Sequence, residues 1–142
     1  MAVFTPEQEE FLQENMFCIL STIRKDGSPQ STPVYYLYEN GRLYISVTRT
    51  RAKTRNVLRD PRVSMVVLKV ERPFPHMQIT GTATITEDDL EPLSRRIFSR
   101  FMPNLPDNFT EMLKEQQRRV MVVTPERALT NLNVRRATPS NS

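Results

Sequence analysis

The sequence predicts a mainly β domain with flanking helices, built as a largely antiparallel barrel, and three observations carry that expectation. Short stretches rich in Val, Ile, Thr and Tyr recur along most of the 142 residues, each bounded by turn residues. Asn40-Gly41 stands between two such stretches and is the strongest short hairpin signal in the chain. Helix-patterned segments interrupt the series in only a few places, so the regular strand–helix alternation of a parallel sheet is absent. At this length one hydrophobic core is the economical arrangement: residues 1–136 read as a single domain and 137–142 as a disordered tail.

Each element has its own local reason. Thr5, Pro6 and Gln8 form a capping box with proline in the first turn, which predicts a short helix with Phe11 and Leu12 toward the core. From Met16 the pattern becomes a strand that runs to the turn at Lys25-Asp26-Gly27. A second strand is expected from Pro29 to Tyr38, and Pro33 within it argues for a sheet edge or a bulge. Leu43 to Thr48 forms the third strand, after the hairpin. Thr50 to Asp60 lacks glycine and proline, spaces Arg51, Arg55 and Arg59 four apart and stops at Asp60-Pro61, as a short helix does. Arg62 to Val70 is nearly continuously apolar and reads as a central strand. His76 to Thr86 alternates, with Met77, Ile79, Gly81, Ala83 and Ile85 on one face. Asp88 to Arg100 carries acidic residues first and arginines last, matching a helix dipole. A further helix is expected over Asp107 to Gln117, then strands at Arg119 to Thr124 and Ala128 to Leu132.

Composition then narrows the chemistry. Gly27, Gly41 and Gly81 are the only glycines and lie too far apart for a glycine-rich phosphate loop. One histidine, His76, and one cysteine, Cys18, cannot assemble a zinc site of the usual four ligands or a disulfide framework, so no metal site is expected. The carboxylates fall on the predicted helices, where solvated faces and dipole partners account for them, and no side chain is assigned as catalytic. A net charge of +4 suits an anionic ligand. The N-terminal stretch is acidic, and no apolar run approaches the roughly 18 residues of a membrane span. With a single cysteine, this points to a cytoplasmic protein without a membrane partner. The arginine stripe at 51, 55 and 59 is short and unaccompanied by a recognition motif, so nucleic acid is not an expected partner.

The densest positive stretch is Thr48-Arg49-Thr50-Arg51-Ala52-Lys53-Thr54-Arg55-Asn56, at a strand end running into a helix start. Free amides, the positive end of the helix dipole and flanking cations together make an anion site there without glycine. Read alone, the same run also fits a basic, solvated helix face.

The run from Arg51 to Val63, followed by the apolar strand, resembles the pyridoxamine-phosphate-oxidase-like split-barrel superfamily, in the branch using the deazaflavin coenzyme F420 or FMN. Leu20-Ser21-Thr22-Ile23, the Asp26 to Gln30 turn and Pro33 to Tyr38 stand upstream in the order of that family; Gln78 to Ala83 stands downstream. The resemblance implies a six-stranded antiparallel split β-barrel, an obligate homodimer and two equivalent cofactor sites across the interface. It implies that Arg51 and Lys53 bind the cofactor's phosphate, helped by Thr48 or Thr54. Ser31, Thr32, Pro33 and Val34 would lie along the ring system, and Ser46 and Val47 beneath the ring or ribityl chain. His76 and Gln78 match positions that reach the partner subunit's cofactor, although the phosphate oxidases carry Gln and Arg there. The C-terminal Trp and Arg segment with which those oxidases hold pyridoxal phosphate is missing, which counts against pyridoxamine phosphate as substrate. The implied function is hydride transfer to a small organic substrate, with the reactivity borrowed from the cofactor. F420 is favoured over FMN because its acidic tail needs a basic groove, which Arg49, Arg51, Lys53, Arg55 and Arg59 could form. A flavin- or heme-binding protein of the same fold without turnover is the alternative.

Overall fold

The computed structural model describes residues 3–132, and the tail expected over 137–142 lies outside them. Helix α1 (Pro6–Glu14) begins as its sequence dictates: the Thr5 hydroxyl accepts from the Gln8 amide at 3.2 Å, and the Gln8 side chain accepts from the Thr5 amide at 2.9 Å. Its Phe11 and Leu12 enter the main core. The strands are β1 (Phe17–Ile23), β2 (Pro29–Tyr35), β3 (Leu37–Glu39), β4 (Arg42–Thr48), β5 (Arg62–Leu68), β6 (His76–Thr86) and β7 (Arg118–Asn131). Helix α2 (Ala52–Arg59) joins β4 to β5, and α3 (Leu90–Ser99) and α4 (Phe109–Glu115) lie between β6 and β7. All strands belong to one sheet in the order β2-β1-β5-β6-β7-β4-β3, with every neighbouring pair antiparallel. The sheet curls until β2 and β4 approach each other with no ladder between them. The fold is therefore the split antiparallel barrel with flanking helices that the sequence predicts.

The strand count is seven rather than six, and the structure gives the reason. The stretch from Pro29 to Tyr38 breaks at Tyr36, whose ring is fully buried and whose hydroxyl donates to the Leu12 carbonyl at 2.7 Å. Residues before the break pair with β1 and residues after it with β4. The two strands expected near the C-terminus are instead one long β7. It runs through Pro125 because the ladder shifts register at Thr80/Gly81, which leaves Glu126 as an extra residue. A Cβ on Gly81 would collide with the Thr124 carbonyl oxygen, so glycine is required for β6 and β7 to come this close. At Asn40 and Gly41 both φ angles are positive, 51° and 78°, as the primed hairpin turn demands. β2 is an edge strand, which accommodates Pro33, and β5 is central, as its apolar run implies. Helix α3 starts later than its acidic residues suggest, because Asp89 takes a left-handed conformation (φ 52°) before the first turn.

Two cores share the sheet. Cys18, Leu20, Ile45, Val47, Met65, Val67, Met77, Ile79, Met121 and Val123 fill the barrel interior. On the other side of β4 and β7, Leu93, Ile97 and Phe98 of α3 pack with Phe109 and Leu113 of α4, Leu37 and Val120. Val120 and Met121 are both fully buried because consecutive β7 side chains serve opposite cores. Burial pushes the Cys18 thiol up to about 12, which makes it a packing residue rather than a nucleophile. Among the described residues, no helix is long and apolar enough to cross a membrane.

Candidate functional site

A curled sheet that fails to close leaves a gap, and a cavity lies in it. About 330 Å³ of space is bounded by Pro33, Val34 and Tyr35 of β2, Ser46 to Thr48 of β4, the start of α2, the last turn of α3, and Arg118. β4 can contribute to two surfaces because its side chains alternate. Leu43, Ile45 and Val47 are buried in the barrel, while Ser46 and Thr48 have the opposite parity.

Helix α2 brings the charge. Its N-cap, Arg51, makes no side-chain capping bond, and the Ala52 and Lys53 amides have no protein acceptor among the described residues. The helix is fixed by two buried contacts. The Thr54 hydroxyl donates to the Thr48 carbonyl at 2.7 Å, tying the first turn to the end of β4. The Asn56 amide donates to Thr22 Oγ1 at 3.0 Å and Gln30 Oε1 at 2.9 Å, tying the next turn to β1 and β2. Arg51 and Lys53 consequently meet in the cavity wall.

Arg118, the first residue of β7, stands opposite Thr48 in the ladder and joins them. Its Nε donates to Gln116 Oε1 at 2.9 Å, its Nη1 leans on Ser46 Oγ at 3.4 Å, and its guanidinium carbon lies 5.5 Å from the Phe98 ring centre. Among the described residues no carboxylate forms an ion pair with Arg51, Lys53 or Arg118. Burial, then the charges of Arg51 and Arg118, hold the Lys53 ammonium below its ordinary pKa. Burial and Arg51 act on Arg118 in the same direction. Three cations crowded without a counter-ion are a poor arrangement for the protein alone and a good one for an anion.

The opposite wall is apolar. Phe98 and Phe101 lie 5.4 Å apart, and Tyr35 stacks on Phe101 with centroids 3.8 Å apart and planes 9° from parallel. Arg100 holds this corner: its guanidinium donates to the Tyr36, Gln13 and Asn15 carbonyls at 2.8, 3.0 and 2.6 Å. The cavity lining contains no carboxylate, imidazole or thiol.

Of the residues expected at a site, Pro33, Val34, Ser46, Val47, Thr48, Arg51 and Lys53 meet around this cavity. Ser31 and Thr32 precede them on β2 outside it, and the Ser31 hydroxyl shares a 2.7 Å hydrogen bond with Ser21. Thr54 stands behind the wall with its hydroxyl engaged by Thr48. His76 and Gln78 lie elsewhere, on the outward side of β6, with His76 Nδ1 3.0 Å from the Phe74 carbonyl. Sequence reasoning missed Arg118, Phe98 and Phe101. The Phe98-Ser99-Arg100-Phe101 and Arg118-Arg119 clusters carry a signal, but nothing local in it points to the β2–β4 gap.

Known proteins share this fold. The family model described as pyridoxamine 5'-phosphate oxidase matches residues 4–131. A conserved hypothetical protein from Mycobacterium tuberculosis superposes with a TM-score of 0.80 at 21% identity, over 99% of this chain and 92% of that one. An F420 reductase superposes with a TM-score of 0.70 at 23% identity, over 85% of this chain and 94% of that one. The heme storage protein from Vibrio cholerae gives a TM-score of 0.71 at 19% identity, over 92% of this chain and 95% of that one. At these identities the likeness to solved structures is one of fold.

Proposed function

The chain belongs to the pyridoxamine 5'-phosphate oxidase family, and from that premise we propose that it is an oxidoreductase using a phosphorylated flavin-type cofactor, F420 in preference to FMN. The observation that carries this reading is the placing of Arg51, Lys53 and the unpartnered first-turn amides of α2 on one cavity whose lining holds no acidic group.

The residues present fit such a group. Arg51, Lys53 and the first-turn amides of α2 suit a phosphate. Ser46 and Thr48 offer hydroxyls to a polyol chain, Pro33 and Val34 offer a surface to a ring, and Val47, its side chain buried in the barrel, borders the cavity between the two hydroxyls. Ser31 and Thr32 extend β2 beyond the cavity. Thr54 acts indirectly, by holding the Thr48 carbonyl away from the anion. When bound, the cofactor supplies hydride chemistry to a small organic substrate. The protein's share is to bind and orient it, and to exclude water with the last turn of α3.

F420 is favoured by a second cleft on the other flank of α2. Arg24, Lys25, Arg55 and Arg59 line about 580 Å³ there, with Asp26 as its one carboxylate. Asp26 is engaged by the Ser28 amide and hydroxyl at 2.9 and 2.6 Å, and Arg24 and Arg59 donate to the Pro29 and Ile23 carbonyls at 2.8 and 3.3 Å, so Lys25 and Arg55 are the cations with no partner among the described residues. A tail of carboxylates beyond the phosphate would pass Ala52 into this cleft, whereas FMN ends at its phosphate and leaves it unused.

The working unit we propose is a homodimer. Pro33, Ile19, Val66, Gln78 and Leu129 form one row across β2-β1-β5-β6-β7, with parity opposite to the buried core residues. Leu129 is 61% exposed, and the row is apolar except for Gln78. A second copy on this face would cover it and bring His76 and Gln78 toward the partner's cavity. Binding of a cofactor or heme without turnover is the second reading, favoured by a cavity lining whose acid–base side chains are Tyr35 and the cations alone.

Turnover separates the two. The full chain, mixed with reduced F420 and a panel of quinone, enone and nitroaromatic acceptors, is expected to restore the absorbance of oxidised F420 with at least one acceptor. Tight binding with no oxidation across the panel would favour the storage reading.

A further inference from the structure

The cofactor reading leaves one cation, Arg118, without a task and gives the aromatic wall only the exclusion of water. A phosphate whose chain continues beyond it is a diester with about one negative charge, which Arg51, Lys53 and the α2 amides already match. Arg118 comes from a different element, is held in place by Gln116 rather than free to follow a phosphate, and keeps its second terminal nitrogen without a protein acceptor among the described residues. It lies over Phe98, from which the aromatic surface continues through Phe101 to Tyr35. That far end opens outward: Tyr35 is 45% exposed and also borders a second cavity of about 260 Å³ with Phe17, Pro33 and Val34.

We propose that this half of the cavity is the substrate subsite and that it takes planar aromatic carboxylates. The ring lies along Phe98, Phe101 and Tyr35, and the carboxylate meets the Arg118 guanidinium. The assignment rests on α2 being the phosphate site, since only then is Arg118 spare. A planar ring suits this wall because aromatic pairs gain from offset or edge contacts as well as from burial. A carboxylate suits Arg118 because a guanidinium presents a flat fork of donors to it. Neutral planar molecules would use the wall alone and bind more weakly.

Two probes of the same shape test this. 2-Naphthoate and 2-naphthamide are titrated by calorimetry into the full chain saturated with F420. Naphthoate is expected to bind about tenfold tighter than naphthamide, the equivalent of one charge-assisted hydrogen bond. Arg118→Gln should bring the two affinities together by weakening naphthoate alone, and should change F420 affinity by less than about threefold. Equal affinity of the two probes in the native chain would overturn the proposal, and that comparison does not depend on how a variant folds. Loss of F420 affinity in Arg118→Gln as large as in Lys53→Ala would also overturn it, by making Arg118 part of the phosphate site. Failure of F420 to bind at all would contradict the cofactor reading instead. The same probe comparison in excess inorganic phosphate then tests the subsite without F420: tighter naphthoate binding supports it, and equal affinities overturn it.

Discussion

At the scale of single residues, Lys53 carries the sharpest consequence. Its folded pKa is below the ordinary value of 10.5 because it is part-buried beside Arg51 and Arg118. Between the folded and unfolded values the unfolded chain holds more protons, so this residue's contribution makes the ligand-free chain more stable as pH rises through that window. An anion reverses the balance by relieving the repulsion and returning the proton. Affinity for a phosphorylated ligand should therefore be full below the depressed pKa and fall as pH rises through it, with Lys53→Arg flattening the profile. Calorimetric titration across the alkaline range checks this, and a pH-independent affinity in the native chain would contradict it. The Arg51–Lys53 pair was legible in the sequence because both residues lie in one turn of a basic run beside a strand end. Arg118 was not, because it meets them only through the β4–β7 ladder, some 65 positions along the chain.

Elements show the same division between local and long-range information. The capping box, the Asn40-Gly41 hairpin, the edge position of Pro33 and the alternation of β6 were readable because each follows from a few neighbouring residues. The break at Tyr36 was hidden, since it depends on Leu12 from α1 and Arg100 from α3. The continuity of β7 was hidden too, because Pro125 is tolerated only opposite the Gly81 bulge. Gly81→Ala would set a side chain against the Thr124 backbone and should cost about 3 kcal/mol, the upper part of the range for overpacking. It would appear as a lower urea midpoint with an unchanged slope. Arg100→Met removes three bonds to carbonyls and should cost about 2 kcal/mol. It should also loosen the Tyr35–Phe101 stack, visible as faster hydrogen exchange at the β2–β3 junction. Exchange unchanged in that variant would mean the stack does not depend on the Arg100 clamp.

For the whole molecule, the split barrel supplies what the proposed oxidoreductase needs from a chain with one histidine and one cysteine: a place to hold a cofactor. The gap between β2 and β4 gathers cations from α2 and β7 and rings from α3, while one row of the outward face, Pro33, Ile19, Val66 and Leu129, is apolar apart from Gln78. Leu129→Glu should leave the urea midpoint of the separate chain almost unchanged, because its side chain projects away from both cores. Light scattering at micromolar concentration should then give a dimer mass for the native chain and a monomer mass for this variant. A native monomer would contradict the proposed assembly.

The central claim, that the helix start at Arg51 and Lys53 is the cofactor's phosphate site, is tested most directly by titrating F420 into the native chain and into the Arg51→Ala/Lys53→Ala double variant, with ligand fluorescence as the readout. The account predicts saturable binding to the native chain and a loss of about a hundredfold or more in the variant, as two charge-assisted contacts disappear. Equal affinity in both proteins, or no binding to the native chain, would contradict it.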